Sequence, residues 1–379
     1  MSQHNPVGGR IMTLPVLFLG VLVVIAAIIL ADRFMNGLGA VTNLTNAYPW
    51  GVWVVYDIVI GTAFACGGYA LAIVIYIMNK GKYHPLIRPA ILASLFGYTL
   101  GGLGAFIDMG RYWQAYNILL PWNQNYNSVM LEVGLCVAAY IIVLLIEFSP
   151  AYLEKIKAKV GLERLNKILF FVIALGVVLP TMHQSSLGSL LIALGHKVTP
   201  LWQSVQLMPL LALISALTMG FSIVIFEASF VAAGFRRKSE TNILAGLGKI
   251  INVMLIVWLV VRFAELLMRG KIAAAFAGDL YSVMFWIETA LFIIPLLILA
   301  SAQNRNNAKL LLIAAVSMLF AGALYRLNAF LIGFDPGPGY TYFPSVSEIM
   351  VSVGLVAFEI LAYIVIVKKL PVLHRAEHA

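Results

Sequence analysis

The sequence predicts an all-α integral membrane protein of about ten transmembrane helices. A coarse symmetry would group spans 2–5 and 6–9 as two four-helix units flanked by spans 1 and 10. Three observations carry this prediction. Of 379 residues, 62% are hydrophobic and only 11% charged, and the mean hydropathy is +0.95, outside the range of a soluble domain of this length. Apolar runs long enough to cross hydrocarbon, roughly 20 helical residues each, recur ten times. The basic residues fall between these runs with a strong alternating bias.

The spans lie near 14–33, 50–78, 87–109, 128–148, 168–195, 203–233, 243–268, 280–302, 308–332 and 347–368. An even number places both termini on one side. The N-terminus, the C-terminus and the 79–90, 149–167, 234–249 and 303–309 connections hold 18 of the 25 Lys and Arg residues. The opposite connections hold Arg33, Arg111, Lys197, Arg269 and Lys271; Arg262 and Arg326 lie inside spans. This bias predicts cytoplasmic termini. The net charge of +9 is therefore a topology signal rather than a nucleic-acid patch. Organisation follows as 1–48 (span 1 and an outer loop), 49–200 (first bundle, holding the site), 201–333 (second bundle) and 334–379 (span 10 and tail). The run from Leu14 to Ala31 exceeds a signal-peptide core and is expected to be retained.

The connections differ in character. The 149–167 segment is charged and predicts a short surface helix. The 110–127 and 333–346 segments are aromatic, rich in Pro, Gly and Asn, and poor in charge. Partner docking and an ordered loop covering the bundle fit that composition about equally. The glycines of GYTLGGLGAF (97–106) suit close helix packing better than a phosphate cradle.

Chemistry is sought among ionisable groups inside the membrane, which are costly there and mark function by default. His183, in ILFFVIALGVVLPTMHQSSLGSLLIALG (168–195), is the only histidine well inside a span. Asp57, Glu132 and Asp108 approach its depth from spans 2, 4 and 3, with Tyr98 near the middle of span 3 and Gln184 and Ser185 following His183. A second set, Arg262, Glu265, Glu288 and Arg326, is expected to form a structural ion network, with a proton path as the lesser alternative. Glu227, toward the inner end of span 6, suits either a proton route or solvation at the interface.

Such a pocket fits a quinone site, where head-group carbonyls need donors able to pass protons. An ion-coupled transporter is the competing reading, but it would need matched broken helices near the midplane. A passive membrane anchor is the third. Bis-histidine haem needs two histidines on facing helices. His4, His84, His196, His374 and His378 lie at span ends or in tails, so no haem is expected. Cys66 and Cys136 do not suffice for a metal or iron–sulfur site.

The stretches YPWGVWVVYDIVIGTAFACGGYAL (48–71), GYTLGGLGAFIDMGRYWQAYNILLPWNQNYNSVMLEVGLC (97–136), MHQSSLGSL (182–190) and YRLNAFLIGF (325–334) resemble the NrfD/PsrC family of membrane quinone subunits, most specifically at MHQSSLGS and LEVG. The resemblance is closest to members serving periplasm-facing nickel–iron uptake hydrogenases. It implies two four-helix bundles with peripheral spans 1 and 10, and menaquinone or ubiquinone held in the first bundle near the periplasmic face of a bacterial inner membrane. It also implies electrons arriving from hydrogenase large and small subunits through a ferredoxin-like iron–sulfur subunit on the outer loops, with all iron–sulfur and nickel–iron centres in those partners. The family's functional residues fall on Tyr98, Glu132, His183 and Glu227. His183 and Glu132 would bind the head group beside Asp57 and Tyr98. Glu227, with Arg262 and Glu265, would belong to a proton path.

Overall fold

The computed structural model describes residues 4–204 and 206–374. Val205 and the outermost parts of the terminal segments, including Arg375 and His378, lie outside the described residues. Ten helices long and apolar enough to span a bilayer run through the rest: α1 (Leu14–Asn36), α2 (Trp53–Ile77), α3 (Gly81–Asp108), α4 (Val129–Lys155), α5 (Lys159–Ala193), α6 (Met208–Gly234), α7 (Thr241–Met268), α8 (Leu280–Ala300), α9 (Ala308–Ile332) and α10 (Val346–Lys369). All ten predicted spans are therefore present in a multi-pass α-helical membrane protein.

The helices associate in closed rings. α2, α3, α4 and α5 pack in cyclic order, as do α6, α7, α8 and α9. The rings meet where α6 lies on α5 and α2, and where α9 reaches the start of α2. α1 pairs with α10 and leaves Leu14, Leu17, Phe18, Val21 and Val24 exposed. That exposure suits lipid, where apolar surface gains nothing from burial and small residues set the packing. At the α1–α10 crossing, a Cβ on Gly354 would collide with Ala26 Cβ.

Glycines also set the α2–α3 contact. A Cβ on Gly97 would lie 2.6 Å from Ala65 Cβ, and one on Gly104 would lie 2.7 Å from Asp57 Cβ. The glycine-rich run is thus a packing surface. α2 itself is uneven. It begins in π-helical turns at Trp53–Ile60, becomes α-helical at Gly61–Phe64, breaks at Ala65 and Cys66, and resumes at Gly67. Wide turns of this kind concentrate at functional sites.

The 149–167 connection differs from expectation. α4 runs on to Lys155 and α5 starts at Lys159, so the predicted surface helix is the continuation of both spans, closed by Lys157 at φ 57°. At 1.5 Å per residue, the 35 residues of α5 extend about 52 Å, well beyond a hydrocarbon core of about 30 Å. At this basic end the chain termini pair as two short antiparallel strands, β1 (His4–Asn5) and β2 (Leu373–His374). The backbone N–H groups of Val7 and Gly8 add hydrogen bonds to the carbonyls of Val367 and Lys368.

At the opposite, aromatic end, the 333–346 connection is tied down. Thr199 N donates to the Gly333 carbonyl and Val52 N to the Tyr342 hydroxyl. The Tyr342 hydroxyl donates to Glu348, the capping-box residue of α10. Burial, then Glu348, push the Tyr342 phenol well above its ordinary range. The 110–127 connection forms short 3-10 turns at Tyr112–Leu119 and Pro121–Asn123. It leaves Trp113, Tyr116, Leu119 and Trp122 exposed.

Candidate functional site

His183 sits on α5 three residues after Pro180, inside the first ring, with 1% of its surface exposed. Its Nε2 lies 3.0 Å from Thr62 Oγ1 on α2. Gln184 Nε2 donates to the same oxygen at 3.1 Å. Thr62 spends its single hydroxyl hydrogen on the Ile58 carbonyl at 2.5 Å. Its oxygen must therefore accept from both neighbours, and this proton count assigns an N–H to Nε2 of His183. The other ring nitrogen, Nδ1, is buried and has no hydrogen-bond partner among the described residues. A buried imidazole with one nitrogen anchored and one uncommitted is set up to exchange a proton or a hydrogen bond with something placed beside it.

Tyr98 of α3 packs edge-on against the imidazole, with ring centroids 5.7 Å apart, and against Tyr140 of α4 at 4.5 Å. Its hydroxyl lies 3.7 Å from Cys66 Sγ. Of the residues predicted from sequence, the structure thus brings together His183, Gln184 and Tyr98. Thr62, Cys66 and Tyr140 join them without having been singled out. Thr62 follows directly on the π-helical turns of α2; among apolar residues its hydroxyl was the one available signal.

Among the described residues no direct ion pair joins Arg262, Glu265, Glu288 and Arg326; of the expected ion network only the charge attraction between Arg262 and Glu288 remains, which corrects the sequence reading. Glu265 pairs with Arg269 one turn on. Glu288 accepts from Trp202 Nε1 at 2.8 Å and Asn328 Nδ2 at 2.7 Å. Arg262 is buried over the rings of Phe285 and Tyr325, 5.7 and 5.5 Å from their centroids. Its guanidinium has no hydrogen-bond partner among the described residues. Arg326 turns toward the other ring. It donates to Ser215 Oγ at 3.0 Å, to the Ala212 carbonyl at 3.1 Å and to Gln184 Oε1 at 3.4 Å.

Asp57 and Asp108 are gathered elsewhere. They lie near each other and near Glu348, at the contact of α2 and α3 with α10. Arg33 closes that group by donating to the Ile107 carbonyl at 2.7 Å and the Met109 carbonyl at 2.6 Å. The structure therefore separates these two carboxylates from the His183 cluster; Ser352 of α10 faces Asp57 instead.

Glu132 is exposed in the first turn of α4, just after the Ser128 cap. It shares a helical face with Cys136 and Tyr140, about 12 Å along the axis from Tyr140. It is not part of the buried cluster. Ser185 returns its hydroxyl to the Met182 carbonyl and points away from His183. Glu227 accepts a hydrogen bond from Tyr363 of α10 and borders a cavity of about 40 Å³ at the basic end.

The family model described as "Polysulphide reductase, NrfD" matches residues 40–333. The chain is 51% identical to the "Probable Ni/Fe-hydrogenase 2 b-type cytochrome subunit" of Escherichia coli (strain K12), over 97% of this chain and 95% of that protein. It is 26% identical to the "Menaquinone reductase, integral membrane subunit" of Nitratidesulfovibrio vulgaris, over 89% of this chain and 86% of that protein. A second protein of Nitratidesulfovibrio vulgaris is 30% identical, over 98% of this chain and 97% of its own length.

The Escherichia coli name corrects the expectation that haem is foreign to such a chain, because a b-type cytochrome is a haem protein. In the chain itself, His183 offers one uncommitted nitrogen deep in the bundle. His84 sits at the start of α3 and His196 beyond the end of α5, so the described residues do not fit a facing pair of axial histidines. No step below is routed through haem.

Proposed function

Because this chain belongs to the polysulphide reductase NrfD family, we propose that it is the quinone-reactive membrane subunit of a redox complex, working beside His183. The family match and the hydrogenase and menaquinone reductase relatives support its place as a membrane electron-transfer subunit with partner subunits. The finer reading is that a nickel–iron hydrogenase supplies the electrons. They would arrive through an iron–sulfur partner docked on the exposed aromatic 110–127 connection at the periplasmic face of an inner membrane.

The observation that carries the reading is the uncommitted Nδ1 of His183 in a buried, tyrosine-lined setting. Reducing a quinone to a quinol adds two electrons and two protons. The carbonyl oxygen that receives charge needs a proton beside it; Nδ1, an acceptor while the ring hydrogen sits on Nε2 and is given to Thr62, takes up a proton and then donates it to that oxygen. Thr62, itself held by Gln184, fixes the ring from its far nitrogen. Tyr98 limits its rotation and supplies a second hydroxyl to the same buried space. Glu132, exposed one face further along α4, belongs in this reading to the entrance and not to the head-group contact.

The test is gentle purification through this chain, followed by solvent extraction for quinone and identification of co-purifying subunits. Quinone together with iron–sulfur partners supports the reading. A homo-oligomer that carries solute flux across vesicles supports the transporter instead. Partners without quinone support a passive anchor.

A further inference from the structure

Below the His183 cluster, at the basic end, a cavity of about 510 Å³ opens between α2, α3, α4 and α5, with His4 and His374 of the terminal strands also in its wall. At about 30 Å³ per water, this is room for a dozen or more. Its mouth is polar, with His84, Arg88, Glu154 and Asn166 in the wall; Glu147 of α4 stands farther in. Arg88 is occupied by Glu154 at 2.5 Å and by the Pro371 carbonyl. Glu147 has no ion pair among the described residues. An acid at this depth with no counter-charge is costly and needs a reason.

The local structure holds Glu147 against the backbone of α5. A Cβ on Gly176 would come within 2.7 Å of Glu147 Oε1, so glycine is what lets the carboxyl approach. Pro180, four residues on, has no N–H to give the Gly176 carbonyl. From Gly176 to His183 is seven residues, about 10 Å of helix. That interval carries hydroxyls. Tyr69 donates to Thr181 at 2.7 Å, whose own hydrogen goes to the Val177 carbonyl; Tyr140 lies on the Glu147 face of α4 two turns nearer the site, and the Tyr98 ring packs edge-on against both Tyr140 and the His183 imidazole.

We propose that this cavity is a proton-uptake port, with Glu147 passing protons from the basic end through the tyrosine hydroxyls to His183. The proposal rests on the quinone reading above. Each turnover joins one quinone, two electrons from the partner complex and two protons from the port to form one quinol. Electrons and protons then enter from opposite ends, and the reaction moves two charges across the membrane. Glu227 is the poorer inlet: its cavity is about 40 Å³ and its carboxylate is engaged by Tyr363.

The experiment uses the intact complex in liposomes, with hydrogen as donor, a short-chain menaquinone as acceptor and a voltage-sensitive dye. Glu147→Gln is expected to slow quinone reduction at least 10-fold, with hydrogen-to-viologen activity unchanged and Glu147→Asp retaining most of the rate. Ala72→Phe, which fills the cavity without touching the carboxyl, should cause a comparable loss. Wild-type quinone rates and voltage in both Glu147→Gln and Ala72→Phe would overturn the port and leave the quinone reading standing. Failure of the wild-type complex to reduce quinone would overturn the quinone reading, and the port with it.

Discussion

Arg326 of α9 donates to the side-chain carbonyl of Gln184 on α5 at 3.4 Å. Gln184 in turn donates to Thr62, the residue that anchors His183. A guanidinium from the second helix ring is thereby joined to the proton-exchanging group of the first. Replacing Arg326 by Met removes the charge and leaves Gln184 Oε1 and Ser215 Oγ without the donor they accept from, while the Ser215 hydroxyl still donates to the Ala212 carbonyl at 2.9 Å. Each such buried loss costs about 1–3 kcal/mol. The expected outcome is a lower melting temperature in detergent and slower quinone turnover, read by thermal shift and by membrane assays.

Thr62 separates hydrogen bonding from shape. Thr62→Val keeps the volume but removes the acceptor of His183 Nε2–H. The loosened ring is expected to cost on the order of 10²-fold in quinone turnover, while Thr62→Ser keeps the hydroxyl and most of the rate. Equal rates in Val and Ser variants would show that the hydroxyl does not orient the ring.

His183→Ala removes the proton-exchanging group itself. Quinone turnover should fall by roughly 10²–10⁴-fold while hydrogen-to-dye activity of the complex persists. Glu132→Gln should act differently, raising KM for quinone more than it lowers kcat, because the carboxylate is exposed and outside the buried cluster.

Two glycines on α3 make a matched pair. Gly104→Ala would drive a methyl to 2.7 Å from Asp57 Cβ, whereas Gly102→Ala would meet nothing nearer than 3.5 Å. The first is expected to destabilise by about 1–3 kcal/mol through overpacking, and the second to melt like the parent. Differential scanning fluorimetry in detergent distinguishes them.

The terminal strands are sensitive to acid. Burial, then Arg88 and His374, hold the His4 imidazole down at about 4 from an ordinary 6.5, with Glu154 opposing. The detached tail takes up its proton near the ordinary value, while the paired tail resists until about 4. Pairing is thus at full strength above about pH 6.5 and weakens as pH falls from there toward 4. Protection factors of the Val7 and Gly8 amides should drop across that window, and His4→Gln should flatten the dependence.

The fold was legible because hydropathy acts on every residue, and ten long apolar runs fit few architectures besides a membrane bundle. His183 was legible because an imidazole inside such a run stands out against its neighbours. Its supporting groups were not. Thr62 and Tyr140 belong to residue types common in membrane helices, and only the crossing of α2, α4 and α5 brings them to the ring. Arg326 was visible as a charge but was assigned to its own half, since chain order does not say which way a long side chain turns. Asp57 and Glu132 were placed by depth alone; depth ignores the direction around the helix, and that direction separates both from His183. Glu147 was passed over because it sits where a span meets a charged connection, and there sequence alone reads it as solvated.

The pairing of α1 with α10 bears on how the protein is made. Helix α1 leaves the ribosome 310 residues ahead of its main partner, from Asn36 to Val346. At about 5–20 residues per second, that separation lasts roughly 15–60 s. For that interval α1 stands in lipid with its small-residue contact at Ala26 unfilled. The α1–α10 seam therefore closes only after both helix rings have emerged, with β1 and β2 fastening behind it.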